Sequence, residues 1–300
     1  MKKMSFNIFR RKKTVDASAE KQWKLIFSRF CEDKVAVTAL IVILVIILVA
    51  IFADVIADYK TMALAQNATM RLKPPSPEHW FGTDHMGRDV FARVIHGARY
   101  SLIYGIGCTI LSLFFGCLFG ATAAYYGGTV DGIICRIMDS LLCIPFTLLA
   151  LTLVTVIGTG LRSMVIAIVF ANIPSYTRMI RSVVLTVVQQ DYIRAAKSCG
   201  TKDLVIIFRH VLPNAIGPII VNSTMSIAGL IMSAAGLSFI GMGINPPTPE
   251  WGNMLSEAMK VMRQSPHVVL FPGIAIVITA LAFNLLGDGL ADAFDPRRRQ

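Results

Sequence analysis

The sequence predicts an all-α membrane protein with six transmembrane helices, and three observations lead to this fold class. Apolar residues (AVILMFWYC) make up 55% of the 300-residue chain and charged residues 16%, whereas a typical soluble domain has about 25% charged residues. A soluble fold of this size would lack the polar surface to cover so much apolar side chain. The apolar residues also fall in separate long runs, and the first run follows a strongly basic segment, as orientation in a bilayer requires.

The first two helices are predicted from uncharged runs. Val35–Ala53 is long enough to cross the ~30 Å hydrocarbon core and too long for the apolar part of a cleaved signal, which has about 7–15 residues. Tyr100–Val130 follows, with Gly116, Gly120 and Ala124 spaced four apart. This spacing fits two closely packed helices, and simple tolerance of glycine in a membrane helix is an equal alternative.

The other four helices are less regular. Ser140–Leu161 is interrupted by Pro145, and Ser163–Thr177 is short enough that it must extend into its flanks or be shielded by protein. The fifth helix is predicted near Gly217–Ile240 and the sixth over Val268–Gly287. Six spans place both termini on one side of the membrane.

Basic residues indicate which side that is. Twenty of the 29 Lys and Arg fall on the same side as the N-terminus and nine on the other, which predicts cytoplasmic termini. The chain is thus divided into a basic N-terminal segment 1–34, a first helix 35–57, an extracytoplasmic loop 58–99, a five-helix core 100–290 and a cytoplasmic tail 291–300.

Sequence signatures of covalent chemistry are absent. There is no phosphate loop, nucleophile elbow, zinc-protease helix or finger spacing, so we expect no catalytic residue, cofactor, metal or nucleic-acid partner. His79, His85 and His96 match no ligand spacing and are expected to be solvated. Arg136 and Asp139 are spaced for a helical ion pair.

The source of energy for transport is also constrained by the sequence. The apolar runs contain almost no ionisable group, and a proton-coupled carrier would be expected to have buried Asp, Glu or His. We therefore favour an external energy source. A self-contained ion-coupled carrier or channel and a membrane-bound enzyme are the alternatives.

Two short helices are predicted between the fourth and fifth spans. The first covers Asp191–Cys199 and ends at Gly200. Thr201 is expected to cap the second, which has Asp203 in its first turn and ends before Pro213. One face carries apolar residues at helical spacing, namely Leu204, Ile207, Phe208 and Val211. Such a pair of helices fits a groove on a partner protein or the lipid surface equally well.

The same segment resembles the EAA loop of ABC-importer permeases. The matching pattern is Ala195-Ala196-x3-Gly200, then nine residues, then His210-x-Leu212-Pro213, with Arg194 at the family's Glu position. In that family the loop forms the coupling helix, which sits in a cleft of the ATPase subunit. The resemblance therefore implies an ATPase-coupling role for Asp191, Arg194, Ala195, Ala196, Gly200, Asp203, His210, Leu212 and Pro213.

Three further segments resemble the C-type subunits of dipeptide and oligopeptide permeases. They are Phe81–Leu102, Pro246–Leu255 and Phe283–Gly289, and the resemblance covers about residues 25–297. Within them, Trp251 is expected at the outer membrane–water interface, and Gly82–Arg99 is expected to form a folded outer helix that meets a partner, with a merely solvated loop as the alternative.

The resemblance implies a fold and a set of partners. The fold is a type-I ABC importer (MetI-like) permease core preceded by one extra N-terminal span, in a bacterial inner membrane and in contact with its lipid. The partners are a homologous second permease, two cytoplasmic ABC ATPase subunits and an extracytoplasmic peptide-binding protein. Di- or oligopeptides are the expected substrates, and nickel, glutathione or antimicrobial peptides are the alternatives within the family.

Overall fold

The computed structural model describes residues 24–295, which are helical and connected by loops, with no β-strand among them. Most of the predicted basic segment 1–34 and half of the tail 291–300 lie outside these residues. The helices are α1 (Lys34–Ile51), α2 (Val90–Tyr126), α3 (Gly128–Leu142), α4 (Phe146–Ile157), α5 (Leu161–Val188), α6 (Asp191–Ser198), α7 (Asp203–Phe239), α8 (Trp251–Met259) and α9 (His267–Phe294). A further helix covers residues 24–32, and short turns connect α1 to α2.

The predicted membrane helices are confirmed. Five helices, α1, α2, α5, α7 and α9, are long and apolar enough to cross a membrane. The pair α3–α4 is bent by 84° and makes a sixth when the two helices are counted as one broken span. The bend lies at Pro145, as predicted, because proline lacks the amide hydrogen that a continuous helix would need there.

Several helices are longer than the uncharged runs that predicted them. α2 begins at Val90 instead of Tyr100, because the Asp89 carboxylate caps it by accepting the Ala92 N–H at 2.9 Å. α5 extends to Val188, as its short uncharged run required.

The predicted end of a helix at Pro213 is wrong, since α7 continues through this residue. A π-helical turn, Ile207–Val211, precedes the α-helical stretch that begins at Leu212. Pro213 therefore lies in the first turn of that stretch, where an N–H has no helical partner in any case. α7 is consequently one helix from Asp203 to Phe239.

Close packing of α2 on α5 explains the small-residue pattern. A Cβ atom on Gly116 would lie 2.7 Å from the Tyr176 Cβ, and one on Gly120 would lie 2.6 Å from the Thr177 carbonyl oxygen. These glycines therefore let the two backbones approach, which favours the packing interpretation over simple tolerance of glycine.

Two residues make contacts other than the expected ones. Trp251 is 2% exposed and donates its indole N–H to the Val94 carbonyl at 2.9 Å, because α8 lies against α2 and α9 inside the protein. Asp139 pairs with Arg178 at 2.6 Å instead of with Arg136, because α3 folds back onto α5.

Candidate functional site

The segment between α5 and α7, which we call the 191–214 loop, is a helix, a tight turn and the start of a long helix. α6 ends at Ser198, and Gly200 follows it with a φ of +73°, which lies in the left-handed region. The Gly200 N–H donates to the Lys197 carbonyl and the Thr201 N–H to the Ala196 carbonyl. This pair of bonds is the Schellman pattern of helix termination, which confirms the predicted stop at Gly200.

The start of the next helix differs from the prediction. Lys202 occupies the capping position and makes no side-chain cap, so Thr201 is not the cap. Asp203 lies in the first turn, as predicted, where its charge interacts favourably with the helix dipole. Its carboxylate also accepts a hydrogen bond from the Tyr125 hydroxyl at 2.6 Å.

One side of the loop is buried against the membrane helices. Ile193 from α6 and Ile206, Ile207 and Val211 from α7 are buried in an apolar cluster. The same cluster contains residues of α2 and α5, namely Ala121, Ala124, Tyr125, Ile180, Val184 and Val187. The loop is therefore packed onto the ends of α2 and α5 and does not extend freely from them.

The other side of the loop is exposed and partly apolar. Leu204 is 64% exposed and Phe208 is 68% exposed, with Val205 and Tyr192 also exposed. The predicted apolar face is thus half right, because Ile207 and Val211 face the protein while Leu204 and Phe208 face outward. Leu204 and Phe208, one helical turn apart, fit a groove on a partner protein or the lipid surface, the two alternatives that the sequence left open.

The remaining residues predicted for this site follow the same helices. Asp191 and Arg194 are exposed on α6 and lie 3.8 Å apart, and Ala195 and Ala196 follow them. His210, Leu212 and Pro213 lie in the π-helical turn of α7 and directly after it. Ala196 and Leu212 pack against the apolar cluster that contains Tyr125, and Asp203 accepts the hydrogen bond from Tyr125.

Sequence reasoning missed Tyr125 and Lys197. The Lys197 ammonium lies 4.2 Å from the centroid of the Tyr125 ring, a cation–π contact. The signal in the sequence was a pair of tyrosines at the end of an otherwise apolar run, directly before Gly127 and Gly128.

A second group of interacting side chains lies outside the spans, between the start of α2 and α8. Arg88 donates to Asp84 at 2.6 Å and to Glu257 at 2.9 Å, and Arg93 donates to Glu257 at 3.2 Å. Asp84, Arg88 and Arg93 are buried. The carboxylates of this cluster, Asp84 and Glu257, lie outside the apolar runs, and both are paired with arginine.

The prediction of solvated histidines is wrong for His96, whereas His79 and His85 are partly exposed. His96 is buried, with its ring nitrogen 2.7 Å from the Ala57 carbonyl, and the His79 ring lies 2.7 Å from the Asp89 carboxylate. Among the described residues, Asp84, His85 and Glu257 lie close enough together to hold a metal ion. Because both carboxylates already bind guanidinium groups, the arrangement is that of an ion-pair cluster.

Glu250 begins α8 and is also buried. Its carboxylate oxygens accept the N–H groups of Gly252 and Asn253, each at 2.9 Å. Burial raises the pKa of this carboxyl, and the two backbone hydrogen bonds oppose that rise. The carboxylate fixes the start of α8 beneath the proline-rich loop that precedes it.

Comparison with known protein families shows to which family this arrangement of helices and loop belongs. The sequence model described as binding-protein-dependent transport system inner membrane component matches residues 112–300. The chain belongs to this family. A second model, described as the N-terminal TM domain of oligopeptide transport permease C, matches residues 21–75 of this permease.

Individual relatives cover almost the whole permease. It is 42% identical to the dipeptide transport system permease protein DppC of Alkalihalophilus pseudofirmus over 94% of this chain and 92% of the relative. It is 44% identical to the glutathione transport system permease protein GsiD of Escherichia coli over 92% and 90% of the two chains.

The solved structures agree on the fold. The permease superimposes on a chain of the MetNI methionine ABC transporter in an inward-facing conformation with a TM-score of 0.54 and 17% identity, covering 68% of this chain and 97% of that one. The predicted MetI-like core with an additional N-terminal helix is therefore confirmed.

Proposed function

We propose that this permease is the membrane-spanning subunit of an ATP-driven importer of di- or oligopeptides and forms half of the translocation pathway. The support is its family, its MetI-like core and its 42% identity to a dipeptide permease. The relatives named for glutathione transport are 41–44% identical, so glutathione, which is itself a tripeptide, is the second candidate substrate.

In this proposal the 191–214 loop couples the permease to an ATPase subunit. The observation that supports this role is that the loop has one buried side and one exposed side. One side is packed into the cluster shared with α2 and α5, while Leu204 and Phe208 are exposed on the other. A partner that binds the exposed side and moves would displace the buried side with it, because packed interiors shift as units. Closure of two ATPases on ATP would then move α2, α5 and α7 together and change which side of the membrane the pathway faces.

The other partners and the orientation belong to the same proposal. A homologous second permease completes the pathway, and a peptide-binding protein delivers the substrate from outside. The loop faces the cytoplasm of a bacterial cell together with both termini, consistent with 20 of 29 basic residues on that side. The ion-pair cluster and α8 then face outward, where Gly82–Arg99 meets a partner subunit.

Crosslinking from a native cysteine tests the coupling assignment. Cys199 is exposed beside Gly200, so a permease that keeps it as its single cysteine presents one thiol on the loop. In the assembled complex we expect a short thiol crosslinker to join it to an ATPase subunit. The matched control replaces Cys199 by serine and introduces Thr248→Cys in the loop before α8, and no ATPase crosslink is expected there. The reverse pattern would mean that the orientation is inverted.

Uptake measurements test the substrate and the energy source. Proteoliposomes that contain the complete complex are loaded with ATP and supplied with labelled dipeptide, tetrapeptide, glutathione or nickel. We expect saturable uptake of a peptide that stops when ATP is omitted and is unchanged when the ion gradient is collapsed. Uptake by the permease alone, driven by an ion gradient, would instead support a self-contained carrier.

A further inference from the structure

Tyr125 contacts both helices of the 191–214 loop from outside the loop. It lies in the last turn of α2, is 5% exposed, and donates its hydroxyl to the Asp203 carboxylate at 2.6 Å. The face of its ring lies 4.2 Å from the Lys197 ammonium. Lys197 ends α6 and Asp203 begins α7, so one side chain contacts both sides of the Gly200 turn.

These contacts differ in kind from the others that hold the loop. Within the described residues, Ile193, Ile206 and Val211 hold it through apolar packing, which favours burial without fixing a direction. A hydrogen bond to a carboxylate has a defined length and angle and is stronger than a neutral one. Tyr125 therefore sets the position of α6 and of the start of α7 relative to α2.

Tyr125 lies at the end of a helix that packs tightly on α5. α2 ends two residues later at Gly127, whose φ is +66°, so Tyr125 lies at the very end of a continuous helix. Gly116 and Gly120 of that helix approach the backbone of α5. A displacement applied at Tyr125 thus reaches both α2 and α5, and the tight contact leaves little room for the two helices to slide.

We propose that Tyr125 is a positioning residue for coupling, which links displacement of the 191–214 loop to α2 through Asp203 and Lys197. This inference rests on the coupling role proposed for the loop. Tyr125, which lies outside the loop, would thus connect movement of the loop to movement of α2. Loss of its hydroxyl should lower peptide uptake per ATP and leave binding of the ATPase subunit unchanged.

The test measures peptide uptake per ATP hydrolysed by the complete complex in proteoliposomes. Tyr125→Phe removes the hydroxyl and keeps the ring, and we expect uptake per ATP to fall about fivefold or more. Tyr126→Phe is the matched control, since Tyr126 is the neighbouring tyrosine and is exposed; no change is expected. The inference would be overturned if uptake per ATP were unchanged in Tyr125→Phe, which includes the case where uptake and ATP hydrolysis fall in proportion. An equal fall of uptake per ATP in Tyr126→Phe would also overturn it.

Two further variants identify the partner of the hydroxyl. Asp203→Ala, which leaves the hydroxyl without its acceptor, is expected to lower the ratio, and the double variant Tyr125→Phe/Asp203→Ala is expected to lose less than the sum of the two single losses, because both changes remove the same hydrogen bond. Additive losses would contradict a shared role. In a permease whose native cysteines are replaced by serine, Tyr125→Cys/Asp203→Cys joined by a short bis-maleimide is expected to regain coupling relative to the same protein treated with a mono-maleimide. Failure to regain it would count against the linkage.

The Cys199 crosslink separates this inference from the proposed function. We expect equal crosslinking to the ATPase in the parent and in Tyr125→Phe. If the parent gives no crosslink, the coupling role of the loop fails and this inference fails with it. If the crosslink forms and uptake per ATP is unaffected by Tyr125→Phe, only the role of Tyr125 is refuted.

Discussion

Substitution of one glycine tests how closely α2 and α5 pack. A Cβ atom on Gly120 would lie 2.6 Å from the Thr177 carbonyl oxygen and 3.0 Å from the Arg181 backbone nitrogen, whereas ordinary contacts begin at 3.4 Å. Both neighbours are backbone atoms that no side-chain rotation can remove. Gly120→Ala therefore requires the two helices to separate by about 0.8 Å at this point.

The expected magnitude follows from two opposing effects. Inserting a methyl group into a packed interface costs about 1–3 kcal/mol, while replacing glycine by alanine inside a helix contributes at most about 1 kcal/mol. The net effect of Gly120→Ala is a loss of up to about 2 kcal/mol. Gly229→Ala is the matched control, because a Cβ at Gly229 in α7 meets no atom within 4 Å, and this change is expected to be neutral or stabilising.

Thermal unfolding of the purified permease in detergent measures the difference. At about 2 °C per kcal/mol for a chain of this size, Gly120→Ala should unfold about 2–6 °C below Gly229→Ala. Equal or higher unfolding temperatures for Gly120→Ala would refute the close approach of the two helices.

Three other changes have expected outcomes. Gly200→Asn should keep peptide uptake and Gly200→Val should reduce it severalfold, because asparagine tolerates a φ of +73° and a β-branched residue does not. Equal uptake by the two variants would contradict the turn geometry. Asp84→Asn should cost about 3 kcal/mol of unfolding free energy by leaving Arg88 and Arg93 buried with one fewer carboxylate, and an unchanged unfolding temperature would contradict the ion-pair cluster. The pKa of the Glu250 carboxyl is raised in the native state, so this state keeps the proton to a higher pH than the unfolded state does, and the free energy of unfolding should fall as pH rises from the ordinary carboxyl range through the raised pKa. Glu250→Gln should remove this dependence when unfolding temperatures are measured over a series of pH values. An identical pH profile in the variant would contradict the assignment.

Local signals were sufficient for most of the fold. Apolar length predicted the membrane helices, Pro145 the bend between α3 and α4, and Gly200 the end of α6, because each depends on the chemistry of neighbouring residues. Pro213 was predicted to end a helix, because proline disrupts helix interiors. It lies instead in the first turn after the π-helical turn, where proline is tolerated.

Features that join distant segments were beyond sequence reasoning. The ion-pair cluster connects Arg88 to Glu257, which are 169 residues apart, so the sequence indicated only a segment of balanced charge. Tryptophan is a residue type that is enriched at the membrane–water interface, and the burial of Trp251 depends on how α8 lies against α2. For Tyr125 the hydroxyl partner is 78 residues away, and no periodic pattern marks it.

The continuity of α7 has a mechanical consequence. Its 37 residues span about 55 Å at ~1.5 Å per residue, nearly twice the ~30 Å hydrocarbon core. α7 is not a straight rod, because it contains the π-helical turn Ile207–Val211 and Pro218, but a tilt about a point inside the bilayer still displaces both of its ends. A tilt of only about 5° moves each end by about 2 Å, and in opposite directions. In the proposed transport cycle, displacement of the end that carries Asp203 would be accompanied by an opposite displacement of the end that leads to α8.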